Sequence, residues 1–171
     1  MPKPTLYLMV GYPGSGKTTT AQLIHKLTGA EHLWADRERR QRFGSVYNPE
    51  DSDELYTELN DQAKQLLESG KSVIYDTNFN YFRDREALRQ TADQASANTK
   101  LLWLTLPQEE AYKRAITANN GQRLFINMTH ENFVEVASHL EPPRSEESPI
   151  KLDGNNVNET AIKSALGLNE N

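Results

Sequence analysis

From Gly11 the chain reads Gly11-Tyr12-Pro13-Gly14-Ser15-Gly16-Lys17-Thr18, an order that neither a strand interior nor a helix interior has a use for. Its spacing is G-x-x-x-x-G-K-[ST], that of a phosphate-binding loop. Glycines open backbone angles closed to other residues, so successive N–H groups can converge on phosphate oxygens. A helix beginning beside Lys17 adds the partial positive charge of its N-terminus. Lys17 is long enough to reach β- and γ-phosphates, and the Thr18 hydroxyl suits Mg²⁺. These residues read as a nucleoside-triphosphate site.

Two aspartates form a second constellation. Asp76 follows "SVIY" and Asp36 follows "HLWA", so both are expected at the carboxyl ends of strands. In a parallel sheet those ends gather beside the phosphate loop. Asp76 is therefore a candidate to hold Mg²⁺ directly or through water. Asp36 is a candidate general base for an attacking hydroxyl. Arg39, three residues on, shares a helical face with it and is a candidate to bind the acceptor or charge on the transferring phosphoryl group. Arg37, Arg40 and Arg42 read as surface or ion-paired residues. His25, His32, His130 and His139 share no metal-ligand spacing and read as surface or core residues.

The elements that must position these groups follow from periodicity. Leu6 to Val10 is a continuous apolar run, as expected of a strand covered on both faces. Helical spacing follows over Thr18 to Leu27 and stops at Gly29, so the first strand feeds a helix through the glycine-rich loop. Further strands are expected over His32 to Ala35, Ser72 to Tyr75, Lys100 to Leu106 and the stretch "IKLDG". Helices are expected over Arg37–Phe43, Ser52–Ser69, Arg83–Ala97, Gln108–Ala118, Thr129–Leu140 and Glu159–Leu166, with Asn119, Asn120 and Gly121 as a break. Strands alternating with helices imply an α/β fold on a parallel sheet with right-handed crossovers.

Composition bounds the partners. A chain of 171 residues without repeats or linkers is expected to form one domain, 1–171. Cysteine is absent, which removes disulfides and thiolate metal sites and fits a reducing compartment. Met1 to Pro4 lacks the apolar region of a signal peptide, and no run approaches the roughly 20 apolar residues that span a bilayer. A cytoplasmic protein with no membrane partner is expected. The net charge of −5 argues against a non-specific grip on long nucleic acid. Nothing in the sequence sets the oligomeric state.

With these residues in view, the sequence resembles the polynucleotide-kinase-like branch of P-loop kinases, an AAA-type ATP-binding group related to the zeta toxins. "GYPGSGKTT", Gly11 to Thr19, is similar to the family's phosphate loop, with its proline before the second glycine. "WADRERR" is similar to its D-x-x-R acceptor motif, which makes Asp36 the general base and Arg39 the phosphate-binding arginine. "IYDTNFNYFRDR" resembles the D-[TN]-N-x-[NS] segment with a following arginine, putting Asp76, Thr77, Asn78 and Arg83 near the active site. "EEAYKRAITANNGQR" is similar to the lid segment, whose arginines stabilise charge on the triphosphate. Arg114 takes the first lid position; the second falls where this chain has Ala118, and Arg123 is the candidate substitute. Arg114 and Arg123 also flank a glycine-containing break, a kind of element that can close over substrate. "HLEPPRSEE" resembles the region after the lid. "IKLDG" resembles the last strand, whose following loop lines the adenine in the family, so Leu152, Gly154 and Asn155 become base-site candidates.

The expected fold is thus a P-loop NTPase: five parallel strands in the order 2-3-1-4-5, sandwiched by helices, with a helical lid near residues 113–131. The expected cofactors are ATP and Mg²⁺. One reading is a kinase moving the γ-phosphoryl to a hydroxyl-bearing acceptor, which could be a nucleic-acid 5′ end, a nucleotide or another small molecule. The rival is a nucleotide-binding regulatory ATPase or switch module with no phosphoryl acceptor, which has no need of a base at Asp36.

Overall fold

The central strand β1 (Thr5–Val10) is buried along its whole length, because the apolar run has helices above and below it. A computed structural model describes residues 1–44, 49–117 and 129–168 of the protein. After β1 come α1 (Lys17–Thr28), β2 (Glu31–Trp34), α2 (Ala35–Phe43), α3 (Pro49–Glu68), β3 (Val73–Asp76), α4 (Phe82–Gln94) and β4 (Asn98–Thr105). The chain continues through α5 (Gln108–Thr117), α6 (His130–Ser138), a 3₁₀ turn over Ser145–Glu147, β5 (Ile150–Asp153) and α7 (Glu159–Leu166). All four strand pairings are parallel and the order is β2-β3-β1-β4-β5, as the sequence led us to expect.

Alternation along the strands divides the core into two layers. Leu6, Leu8, Val73 and Tyr75 pack with Leu55, Leu59 and Leu67 of α3 and Leu88 of α4. Tyr7, Met9, Ile74 and Leu152 pack on the opposite face with Ala21 and Ile24 of α1 and Ile162 of α7. A smaller cluster joins Leu106 to Ala111, Ala115, Phe133 and Ala137 of α5 and α6, with Tyr12 of the glycine-rich loop against it. No helix among the described residues is long and apolar enough to cross a membrane.

Several boundaries differ from expectation. β2 ends at Trp34, so Asp36 lies in the first turn of α2 rather than at a strand end. The helix expected to run to Ala97 ends at Gln94, because Ser96 turns the chain at φ 55° and delivers it into β4 two residues later. The 3₁₀ turn was not foreseen. It carries Glu147, whose carboxylate takes Arg85 Nε at 2.7 Å and Nη2 at 3.1 Å, while Arg85 Nη1 donates to the Phe79 carbonyl at 2.9 Å. Both side chains are fully buried, and the pair ties the segment after β3 to the approach to β5.

Candidate active site

Between β1 and α1 the chain turns through Ser15 N–H to the Tyr12 carbonyl at 3.0 Å, with Gly14 at φ 82° and Gly16 at φ 104°. Such angles strain any residue bearing a Cβ. At Gly14 a Cβ would also stand 2.9 Å from the Ala115 backbone nitrogen, so the loop lies directly against α5. Gly16 is the N-cap of α1 and supplies no side-chain cap, which leaves the first-turn N–H groups for something outside the helix. Thr18 and Thr19 follow in that first turn. The Ser15 hydroxyl is buried and has no hydrogen-bond partner among the described residues. Lys17 Nζ folds back to donate to the Gly11 and Tyr12 carbonyls at 2.8 and 2.9 Å. Burial lowers its pKa to about 8, against the pull of the Asp76 and Asp36 carboxylates that favour its charged form. Donor groups, a partly buried ammonium and an orphan hydroxyl converge here, with Pro13 inside the turn, which fits a polyphosphate.

Asp76 ends β3 and is only 4% exposed. It shares a strand face with Ile74, which packs beneath α1, so its carboxylate lies on the side of the sheet that carries Lys17 and Thr18. His32 reaches Asp76 from β2, with Nε2 3.0 Å from Oδ2.

Asp36, with a half-exposed side chain, lies 3.8 Å from the Arg39 guanidinium. Partial desolvation raises the Asp36 carboxyl above its ordinary pKa and nearby Asp76 adds to this, while Arg39 and Lys17 oppose it. Arg39 is buried. Its Nη2 donates to the Tyr56 hydroxyl at 3.3 Å, and that hydroxyl bonds Thr77 Oγ1 at 2.7 Å. One polar chain therefore runs from α2 through α3 to the residue after Asp76, and neither Tyr56 nor His32 carried a signal in the sequence: both connections bridge separate elements.

On the other flank, Arg114 of α5 donates through Nη1 to the Gly154 carbonyl at 2.7 Å and through Nη2 to Asn155 Oδ1. Asn155 Nδ2 in turn donates to Glu110 at 3.0 Å. Arg114, Gly154 and Asn155 are thus brought together beside the glycine-rich loop. Leu152 instead belongs to the core under α1 and α7. Arg83 is 82% exposed, beside Asp84 and over the Tyr81 ring, and the arginine this segment buries is Arg85. Arg42 pairs with Glu58 and Glu38 at the surface. Arg123 lies outside the described residues, as does most of the expected lid.

Solved kinases share this architecture along nearly the whole chain. A sugar kinase from Janibacter sp. is 25% identical over 97% of this chain and 94% of its own, with a TM-score of 0.69. A gluconokinase from Sinorhizobium meliloti is 17% identical over 97% and 90%, at 0.67. The APS kinase of Mycobacterium tuberculosis, solved with AMPPNP and APS, is 16% identical over 98% of each chain, at 0.66. No curated protein matches the sequence. Fold and loop together define a P-loop kinase domain. Residues 6–143 match the model of the AAA_33 family, described as an AAA domain, and the chain belongs to that family.

The packing of Gly154 yields a direct expectation. A Cβ there would stand 2.7 Å from the Ser15 carbonyl and 3.2 Å from the Thr105 carbonyl. Both obstacles are backbone, so Gly154→Ala must push the phosphate loop out of register. We expect nucleotide affinity to fall about tenfold or more, equivalent to roughly 1.4 kcal/mol, in a fluorescence titration.

Proposed function

We propose that this domain moves the γ-phosphoryl of ATP to a hydroxyl acceptor, with Asp36 as general base, Arg39 as the acceptor-side guanidinium, and Lys17 and Arg114 neutralising the donor. The observation that carries this reading is the placement of Asp36 within electrostatic reach of the loop lysine, beside an arginine that is buried and held by Tyr56. A module that only binds nucleotide has no use for that pair.

ATP with Mg²⁺ supplies an electrophilic phosphorus and a neutralised leaving group. Mg²⁺ is commonly held by one or two protein oxygens plus substrate phosphates. Thr18, in the first turn of α1, and Asp76 offer one hydroxyl and one carboxylate for it. Among the described residues no group of three or more His, Asp or Glu forms a self-sufficient cage. The N–H groups from Gly14 to Thr19 would cradle the phosphates while Lys17 exchanges its two carbonyls for phosphate oxygens. Gly154 and Asn155 border the base end, tied to Arg114. Asp36 would take the acceptor's hydroxyl proton as the new P–O bond forms and the bond from the γ-phosphorus to the β,γ-bridging oxygen breaks, releasing ADP. Binding in the right geometry and neutralising charge then supply most of the rate. We assign residues 1–171 to one domain, with the lid near 113–131 and Arg123 as its second arginine.

For the acceptor, the net charge of −5 favours a small molecule or a nucleotide over an extended polymer, and the D-x-x-R resemblance also admits a polynucleotide 5′-hydroxyl. Transfer of labelled γ-phosphate, screened against sugars, nucleosides, oligonucleotide 5′-hydroxyls and transfer RNA, tests the proposal. Hydrolysis without transfer to any of them would favour the switch reading.

The pH profile should carry the marks of both titrating groups. Asp36 must be ionised to accept a proton, and its pKa is raised, so kcat/KM should fall on the acid side at a higher pH than an unperturbed carboxylate would give. Lys17 must be charged, so an alkaline limb is expected at about 8. Because Arg39 holds the Asp36 carboxyl down, Arg39→Ala should move the acid limb further up in pH.

A further inference from the structure

We propose that His32 is a positioning residue for the nucleotide-bound metal: it fixes one oxygen of Asp76 so that the other faces Thr18 and the loop. The inference rests on the reading of Asp76 as the Mg²⁺ carboxylate, and goes beyond it to a residue that neither the loop pattern nor the D-x-x-R motif includes.

A carboxylate only accepts hydrogen bonds, so the 3.0 Å contact requires His32 Nε2 to carry the proton and donate it to Oδ2. The imidazole is itself immobilised. It lies parallel to the Trp34 indole, 5.6 Å between centroids with 6° between planes, and Trp34 is the register partner of Asp76. Residues 32 and 34 point to one face of β2, and Ile74 and Asp76 to the same face of the paired strand, the face that α1 covers. The side chains of His32 and Asp76 are 11% and 4% exposed, so little water competes for the contact. Asp76 is the last residue of its strand and is paired on the β2 side alone, since the register with β1 ends at Tyr75; a rigid donor from β2 adds a restraint on its side chain.

A carboxylate that binds a metal generally needs such a partner, and losing one weakens metal affinity by about 10–100-fold. The test is calorimetric titration of a non-hydrolysable ATP analogue in EDTA and at rising Mg²⁺, with melting temperature followed in parallel. His32→Phe keeps a ring against Trp34 but removes the donor; His32→Asn is too short to reach Oδ2 and serves if the phenylalanine variant does not fold. His32→Gln restores an N–H at nearly the original reach. We expect the Mg²⁺ needed for half of the affinity gain to rise about 10–100-fold in the Phe or Asn variant, with affinity in EDTA unchanged, and most of the loss to be recovered by Gln. Wild-type Mg²⁺ dependence in the donor-less variants, equal losses with and without Mg²⁺, or a Gln variant no better than Phe would each overturn the inference. Asp76→Asn separates the two layers of the argument. If it abolishes the Mg²⁺-dependent gain while the His32 variants do not, only the role of His32 fails; if it too leaves the gain intact, the reading of Asp76 fails and the inference goes with it.

Discussion

Asp36→Asn should lower the turnover of phosphoryl transfer by about 10²–10⁴-fold, the range a positioned general base contributes. Asparagine matches aspartate in shape but cannot take the acceptor's proton. The side chain is half exposed and its ion pair with Arg39 is long, at 3.8 Å, so stability should hardly change. Nucleotide affinity should also stay within about twofold, because the triphosphate cradle is built from other elements. Lys17→Ala provides the contrast, since it removes the ammonium held at 2.8 and 2.9 Å by the loop carbonyls and should cost donor binding and turnover together. Measuring kcat, KM for nucleotide and direct nucleotide binding for the two variants distinguishes them. An Asp36→Asn enzyme that transfers phosphate at the wild-type rate would end the assignment of Asp36 as base.

Breaking the buried pair of Arg85 and Glu147 should cost about 3–5 kcal/mol of folding stability, read from urea unfolding. Arg85→Met leaves the Glu147 carboxylate in an enclosed site from which its bidentate partner has gone, and leaves the Phe79 carbonyl without its donor. Glu147→Gln strands a buried guanidinium in the same way. Replacing both with apolar residues of similar volume should destabilise less than either single change, since the penalty comes mainly from the orphaned charge. Burial alone would raise the Glu147 pKa, but Arg85 and the Arg144 N–H outweigh it and hold it below the usual value. A depressed acid stabilises the fold above its unfolded pKa, and that contribution should disappear as pH falls through the lower folded value. Unfolding followed from neutral to acid pH should show a loss in wild type that Glu147→Gln lacks.

Strand and helix alternation was legible because it rests on local signals: the run Leu6 to Val10, the loop from Gly11 to Thr18, and amphipathic spacing in α3; the sheet order came only with the resemblance to P-loop kinases. The site was legible where chemistry is compressed into a motif, as in the loop, or into one helical turn, as with Asp36 and Arg39. It was illegible where partners meet only in three dimensions. His32 and Asp76 lie 44 positions apart and Arg85 and Glu147 lie 62 apart, and pairing each depends on the register of two strands or the path of a loop. The same limit applies to "YFRDR". Arg83 and Arg85 look equivalent on paper, and only the position of Glu147 decides which one is buried. Ser96 illustrates the reverse case: it makes a left-handed turn without the glycine that usually advertises one.

The network running from Arg39 through Tyr56 to Thr77 has a consequence for where substitutions act. It belongs to α2, α3 and the end of β3, whereas the donor cradle belongs to β1, α1, α5 and the turn after β5. The two halves meet at the sheet's carboxyl edge but are packed by different helices. On the proposed assignment, substitutions on the α2–α3 side act first on the acceptor and those in β1, α1 and α5 act first on the triphosphate, with Asp76, next to Thr77, as the point where a change on one side is felt on the other.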